Sequence, residues 1–210
     1  MENQESQPNP IHLKISNLIQ NNKKVLDVGC GYGKLAQMLN LNYCDVFCIE
    51  FDEKRAKKAR KYYKHLIVGD VESIELSSVY KNYFDYIIFA DVLEHLRDPE
   101  NVLIRFKKYL KDDGSIVASI PNITNWRIRI SLLFGNFNYQ DEGILNRGHL
   151  RFFSKDSATK LFIEAGLKIV EFDITFGDYS RFPNFFHFIG MKWPNLFSFT
   201  FFFVAKKEEE

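Results

Sequence analysis

The fold of this chain is decided by the stretch Val25-Leu26-Asp27-Val28-Gly29-Cys30-Gly31-Tyr32-Gly33. An apolar run leads into three alternate glycines, and a helix-compatible segment, Lys34–Asn40, follows them. Glycine permits a tight turn and lets a ligand approach the backbone closely. The stretch therefore predicts a strand, a ligand-binding turn and a helix.

Strand and helix patterns alternate downstream of this turn. The predicted strands of the first half are Lys24–Val28, Val46–Glu50, Leu66–Val68, Tyr83–Ala90 and Ser115–Ile120. The predicted helices between them are Lys34–Asn40, Glu53–Lys64 and Asp98–Leu110. Such alternation implies βαβ crossovers and a parallel sheet.

The alternation stops after Pro121, and residues 121–153 form a connection that is too long for a plain loop. The predicted elements beyond it are a helix at Ser154–Ala165, strands at Leu167–Phe176 and Phe197–Ala205, and an aromatic insertion at Gly177–Asn195. The apolar run Trp193–Ala205 is shorter than the about 20 residues that a membrane helix needs, so we interpret it as a buried strand.

The composition is that of an ordinary soluble globular protein, with 46% hydrophobic and 26% charged residues. The formal net charge of +1 gives no general signal for nucleic acid or for an anionic membrane. The basic run over residues 53–61 is expected to form the exposed face of one helix.

The N-terminal segment and the cysteines together indicate a cytoplasmic protein. Met1–Pro10 is polar and lacks the apolar core of a signal peptide. Cys30, Cys44 and Cys48 are odd in number and contain no C-x-x-C pair, so we expect reduced cysteines and no metal site.

Asp27 separates two classes of ligand for the glycine turn. Lys34 stands where a dinucleotide fingerprint has its third glycine, and the P-loop sequence is also absent. A carboxylate beside the turn would repel a pyrophosphate, and it would suit a ligand that carries an ammonium and a sulfonium. An ion pair between Asp27 and Lys34 is the structural alternative.

With its three alternate glycines and Asp27, Val25–Gly33 resembles the first motif of class I S-adenosylmethionine-dependent methyltransferases. Glu50 ends the second strand, where such folds bind both ribose hydroxyls, and Asp52 is a second candidate for that role. Asp70 ends the third strand, near the expected adenine amino group, although it could instead cap a turn. Residues 84–96 resemble the fourth-strand motif of the family.

The resemblance implies an α/β fold: a doubly wound, mostly parallel seven-stranded sheet of Rossmann-like type whose last strand is antiparallel. Its implied cofactor is S-adenosylmethionine, bound by Asp27, Gly29, Cys30, Gly31, Gly33, Glu50, Phe51, Asp70, Val71, Ala90 and Asp91. We predict a flexible terminus at 1–10, one domain at 11–205 and a charged tail at 206–210. Residues 24–121 form its cofactor-binding half and residues 122–205 its acceptor-binding or lid half.

The segment 121–154 also resembles bacterial methyltransferases that act on small molecules, sugars or quinone-like acceptors. In such sheets the loops after strands four and five face the ligand. His149 and His95 are therefore the candidate catalytic residues, His149 as a base for an oxygen nucleophile, although each could serve only structural hydrogen bonding. Arg127, Arg129 and Arg151 could clamp an acidic acceptor or lie at the surface.

Methyl transfer to a small-molecule oxygen is the predicted function. A non-catalytic cofactor-binding or scaffolding protein is the alternative, and Asp27 and Lys34 disfavour a nicotinamide-dependent oxidoreductase. Ala90–Leu93 stands where enzymes that methylate nucleic-acid bases carry an NPPY-like tetrad, so we expect no nucleic-acid partner. A homodimer remains open, because Phe182–Phe188 could form a core, a dimer surface or an acceptor pocket.

Overall fold

A seven-stranded sheet organises the part of the chain that the computed structural model describes, residues 9–176 and 183–208. The strands are β1 Lys24–Val28, β2 Asp45–Glu50, β3 His65–Val68, β4 Phe84–Ala90, β5 Leu110–Pro121, β6 Leu167–Thr175 and β7 Thr200–Lys207. Their order is β3-β2-β1-β4-β5-β7-β6, and β7 runs antiparallel to both of its neighbours. The predicted fold class is confirmed.

Eight α-helices connect the strands over the same described residues. They are α1 Pro10–Leu18, α2 Lys34–Leu41, α3 Glu53–Ala59, α4 Pro99–Lys107, α5 Trp126–Leu133, α6 Lys155–Glu164, α7 Pro183–Lys192 and α8 Pro194–Phe197. Three 3₁₀ turns lie at Arg60–Tyr62, Ser78–Tyr80 and Leu93–His95. None of the helices in this part of the chain is long and apolar enough to span a bilayer.

Side-chain caps explain where the predicted helices begin. The Asp52 carboxylate accepts from the amides of Lys54 and Arg55 at the start of α3, and Asp98 accepts from an amide in the first turn of α4. Ser154 caps α6 in a reciprocal capping box. The predicted helix over 53–64 is too long, because α3 ends at Ala59 and a 3₁₀ turn follows.

Apolar side chains cover both faces of the sheet, as the period-2 alternation of a buried strand requires. On β7, Phe201 and Phe203 pack with Phe162 of α6, whereas Phe202 between them packs on the opposite face with Ile11 and Ile15 of α1. The three phenylalanines of β7 are at most 1% exposed. The central strands are therefore rigid supports for whatever lies at their ends.

Two boundaries at the chain's ends were predicted wrongly. Pro10 lies in the predicted flexible segment 1–10, yet it begins α1, which the sequence reading missed although Ile11, Ile15 and Ile19 recur at helical spacing and are buried. The remaining part of that segment, residues 1–8, lies outside the described residues.

The C-terminal strand is also displaced from its predicted place in Trp193–Ala205. Residues 194–197 form α8, and β7 begins only at Thr200. It continues through Lys206 and Lys207, which pair with β6, so these lysines belong to the sheet and not to a charged tail over 206–210. Within the predicted aromatic insertion, α7 spans 183–192, while residues 177–182, and so Phe182, lie outside the described residues.

The prediction of reduced cysteines is wrong for two of the three. Cys30, in the turn after β1, and Cys48, on β2, form a disulfide with their Cα atoms 6.2 Å apart. The parallel pairing of β1 with β2 brings these positions together, and the odd number of cysteines concealed the pair. Cys44 is free and buried, as expected of a small apolar residue.

Candidate cofactor cleft and active site

A cleft of about 460 Å³ opens at the carboxyl ends of β1, β2, β3 and β4. The chain leaves β1 toward β2 and β3 and then returns to β4 on the other side, which makes this edge a topological switch point. The predicted site residues that line the cleft are Gly29, Glu50, Phe51, Asp70, Val71, Asp91 and His95. Further lining residues that the sequence reading did not select include Glu72, Arg97 and Leu150.

The glycine turn needs glycine for two separate reasons. Gly29, Gly31 and Gly33 all have positive φ, between +54° and +78°, which L side chains rarely adopt. At Gly29 a Cβ atom would also lie 2.7 Å from Val92 Cγ2 at the cleft wall. The turn therefore presents bare backbone to the cleft.

Glu50 ties the glycine turn to the start of α3. Its side chain is 5% exposed, and its two oxygens accept from the backbone amides of Gly31 at 2.7 Å and Asp52 at 2.9 Å. Because a carboxylate can accept about four hydrogen bonds, Glu50 retains capacity for two further donors. A ribose supplies two such donors.

Acidic side chains dominate the rim and floor of the cleft. Five line it, against two arginines, Arg55 and Arg97; the five are Glu50, Asp52, Asp70, Glu72 and Asp91. A cleft walled by one sign of charge concentrates the opposite sign. The arrangement suits a cationic ligand and disfavours a diphosphate.

Asp27 is the carboxylate that the sequence places beside the glycine turn, but it does not line the cleft. It is 2% exposed and accepts a hydrogen bond from the Tyr63 hydroxyl at 2.7 Å. Burial raises the pKa of its carboxyl to about 7, with the nearby charge of Glu50 adding to the rise. The structure thus places Asp27 against Tyr63 and outside the lining of the cleft, and its ligand role stays a prediction, while Glu50 is the acid that contacts the glycine turn directly.

Four other predicted binding residues also lie outside the lining of the cleft. Cys30 is held in the disulfide, and Gly33 caps the start of α2. The Gly31 amide is used by Glu50, and Ala90 pairs with Ser119 of β5. These residues shape the turn and the strand end, and the adjacent Gly29 and Asp91 line the cleft.

Asp91 adopts an unusual backbone conformation at the end of β4, with φ of +53°. Ser119, which is fully buried, accepts from the Asp91 amide and donates to its carboxylate. The side chain opens to solvent through the cleft. Desolvation by the surrounding protein raises the pKa of Asp91, and the Ser119 hydrogen bond and the imidazoles of His12 and His95 oppose this rise.

The two predicted catalytic histidines lie together. Their rings meet edge to face with centroids 4.8 Å apart. His95 Nδ1 bonds to the carbonyl oxygen of Gly148 at 2.9 Å, and His149 Nδ1 bonds to that of Ile144 at 3.0 Å. Since a carbonyl only accepts, each Nδ1 carries a proton, and the lone pair of a neutral imidazole in this orientation is on Nε2.

Glu94 completes this cluster and was not predicted. It is 1% exposed, and both of its carboxylate oxygens lack a hydrogen-bond partner. His149 Nε2 lies 3.9 Å from one of them. Burial, reinforced by the charge of Asp91, raises the pKa of Glu94 well above its ordinary value.

The same cluster has a spacing that a cation would accept. Glu94, His95 and His149 each offer one ligand atom, and these atoms lie within 4.8 Å of one another. The expectation of no metal therefore stays a prediction, which a chelator tests.

The three arginines that could have clamped an acidic acceptor do not line the cleft. Arg129 Nε donates to the Thr124 carbonyl at 2.6 Å, and Arg151 donates to the carbonyl of Arg97. Arg127 lies over the Trp126 ring. The long connection over 121–153 reaches the cleft instead through Leu150, whose amide donates to the Glu94 carbonyl.

Comparison with known proteins decides the family. A family model described as "Methyltransferase domain" matches residues 2–172. The chain belongs to this family. Membership confirms the resemblance to S-adenosylmethionine-dependent methyltransferases and the cofactor that the resemblance implied.

Curated relatives of the methyltransferase chain come from several bacteria. It is 27% identical over 156 residues to a ubiquinone biosynthesis O-methyltransferase of Thiobacillus denitrificans, covering 71% of this chain and 66% of the relative. A probable S-adenosylmethionine-dependent methyltransferase of Mycobacterium tuberculosis is 27% identical over 148 residues, covering 69% and 48%. The chain thus spans less than two thirds of the length of these relatives.

Solved structures share the fold of this methyltransferase. An S-adenosylmethionine-dependent methyltransferase of Thermotoga maritima, a possible histamine N-methyltransferase, has a TM-score of 0.66 at 18% identity, covering 94% of this chain and 87% of its own. A Methanosarcina mazei S-adenosylmethionine-dependent methyltransferase has a TM-score of 0.67 at 16% identity, covering 96% and 99%. At such identities the likeness concerns the fold alone.

A Cβ atom at Gly29 tests the cleft. Gly29→Ala and Gly135→Ala both place a Cβ on left-handed backbone, but only the first collides with Val92, and Gly135 has open space around it. We expect Gly29→Ala to weaken binding of S-adenosylhomocysteine about tenfold or more, and Gly135→Ala less than about twofold, in calorimetric titration. If the two variants bind S-adenosylhomocysteine equally well, the cofactor does not bind against Gly29.

The buried Asp27 predicts a pH-dependent stability. Between its ordinary pKa of 3.8 and its folded value of about 7, the folded chain keeps a proton that the unfolded chain releases, so this contribution to stability falls as pH rises. Asp27→Asn cannot ionise. From about pH 4.5 to about pH 7.5, wild type should lose on the order of 2–4 kcal/mol more unfolding free energy than the variant in urea denaturation. Parallel profiles would show that Asp27 titrates normally.

Proposed function

We propose that this chain transfers the methyl group of S-adenosylmethionine to an oxygen of a small-molecule acceptor, with His149 as the base. The observation that carries the proposal is the position of the His149 ring, which lies next to the cleft-lining His95, has its Nδ1 bonded to the Ile144 carbonyl and has its Nε2 3.9 Å from a Glu94 oxygen. The cofactor supplies an electrophilic methyl on a positively charged sulfur.

The residues at the cleft fit that cofactor. Glu50 has spare acceptor capacity for the ribose hydroxyls, and Asp70 with Val71 lies at the end of β3, one strand further out, for the adenine. Asp91 lies on the other side of Gly29, at the end of β4. Acids along the whole length of the cleft match the positive charge of the ligand.

Methyl transfer from sulfur is an in-line displacement, so alignment of the acceptor and exclusion of water supply most of the rate. An acceptor hydroxyl must also lose its proton. Burial lowers the pKa of His149, which keeps the imidazole neutral near pH 7, and the Ile144 carbonyl fixes its orientation. A neutral, oriented imidazole is a suitable general base.

An aromatic wall beside His149 favours a flat, apolar acceptor such as a phenol. Phe152 lies 6.2 Å from the His149 ring, Phe137 lies 6.0 Å from Phe152, and Tyr139 lies 5.5 Å from Phe137, measured between ring centroids. Such edge-to-face surfaces bind aromatic ligands well. The curated relatives named for ubiquinone biosynthesis are also O-methyltransferases, which supports an oxygen acceptor.

Replacing His149 tests the base. His149→Ala should lower turnover with phenol and catechol acceptors by about 10²–10⁴-fold, because general-base assistance is lost. Its affinity for S-adenosylhomocysteine should stay within about twofold of wild type. His65 is an exposed histidine at the start of β3, and the cleft lies at the other end of that strand. His65→Ala is therefore the matched control and should leave turnover and affinity unchanged.

Three outcomes would refute parts of this proposal. Unchanged turnover in His149→Ala would remove the base assignment. Cofactor binding without demethylated product across the acceptor panel would favour the non-catalytic binding protein. Loss of turnover in EDTA, restored by a divalent cation, would reassign Glu94, His95 and His149 to a metal.

A further inference from the structure

Ser119 lies on β5, and its hydroxyl makes two hydrogen bonds to one residue at the cleft. Its hydroxyl accepts from the Asp91 amide at 2.9 Å and donates to Asp91 Oδ1 at 2.6 Å. Ser119 itself is 0% exposed and pairs with Ala90 in the sheet register. The Asp91 amide also donates to the Ser119 carbonyl at 3.3 Å, so it is the carboxylate of Asp91 that depends on the hydroxyl alone.

The backbone of Asp91 has a conformation that is uncommon for residues other than glycine, although aspartate adopts it more readily than most. Asp91 has φ of +53°, in the left-handed region. Such a backbone persists only where the surroundings determine it, and it occurs often at ligand-binding positions. The left-handed backbone and the hydrogen bond from the Ser119 hydroxyl together hold the Asp91 carboxylate in one direction at the cleft.

The strand order indicates which end of the ligand Asp91 meets. The sheet order β3-β2-β1-β4 places Asp70, Glu50, Gly29 and Asp91 in one row along the cleft. Under the proposed function, the adenine and ribose lie over the first two positions. The sulfur and the amino-acid tail then extend past Gly29 toward β4, where Asp91 is the acid that lines the cleft.

We propose that Ser119 is a positioning residue that fixes the Asp91 carboxylate to bind the ammonium of the cofactor's amino-acid tail. The inference rests on the proposed function and adds to it a residue that does not touch the cofactor. It makes Ser119 a determinant of selectivity for adenosyl ligands that carry the tail over those that lack it.

Two ligands separate this role from a merely structural one. S-adenosylhomocysteine carries the ammonium, and 5′-methylthioadenosine carries the same nucleoside and sulfur without it. Ser119→Ala should weaken the first about tenfold and the second less than about twofold in calorimetric titration. Ser115→Ala is the matched control, since Ser115 is a buried serine four residues earlier on β5. This variant should bind both ligands with the affinity of wild type.

A double-mutant cycle tests whether Ser119 acts through Asp91. Asp91→Asn should reproduce the selective loss, and adding Ser119→Ala to it should cause little further change. An equal loss for both ligands, no loss for either, or full additivity in the cycle would overturn the inference. If wild type binds neither ligand, the proposed function itself fails, which is a different result from wild-type binding that Ser119→Ala leaves unchanged.

Discussion

The site depends on one buried carboxylate that joins two pieces of backbone. Glu50 accepts from the Gly31 amide in the glycine turn and from the Asp52 amide at the start of α3. A buried charge is tolerated only when hydrogen bonds replace its lost hydration, and backbone amides do this strongly. The same bonds fix the turn against β2, so the width of the cleft and the direction of Glu50 are set together.

The topology of the sheet converts this local arrangement into a binding site for an elongated cation. Parallel strands bring the ends of β1, β2, β3 and β4 to one edge, and each end contributes glycine or an acid. The connection after β5 then returns over this edge through Leu150 and presents His149 beside His95. Under the proposed function, the strand ends would bind the cofactor and this connection would supply the base.

The sequence predicted the parts of the site that depend on local pattern. The glycine turn and the acids at the ends of β2, β3 and β4 follow from residue type next to a strand end, and the starts of α3, α4 and α6 were predicted to within one residue. The antiparallel β7 came from the family resemblance, and its start was misplaced because the apolar run begins before the strand, in α8. The missed α1 did carry a signal, since its isoleucines recur every four residues.

The remaining features depend on contacts between distant parts of the chain. Asp27 could not be known to face Tyr63 instead of the cleft, and the Cys30–Cys48 disulfide needed the register of β1 against β2. The burial of Glu94 without a hydrogen-bond partner depends on the packing of the long connection against the end of β4. The hydrogen bond from the Ser119 hydroxyl to Asp91 likewise depends on the pairing of β4 with β5. Local pattern cannot specify such pairs, because their members are at least 18 residues apart in the sequence.

Titration of wild type and Glu50→Gln with S-adenosylhomocysteine by calorimetry is the most direct test of the role of Glu50. Glutamine retains the shape but loses the charge and one of the two acceptor oxygens. Saturable binding to wild type, weakened about tenfold or more in Glu50→Gln, is the expected result. Equal affinity in the two proteins, or wild type that binds NADH and not S-adenosylhomocysteine, would contradict an acid-lined cleft for a cationic adenosyl ligand.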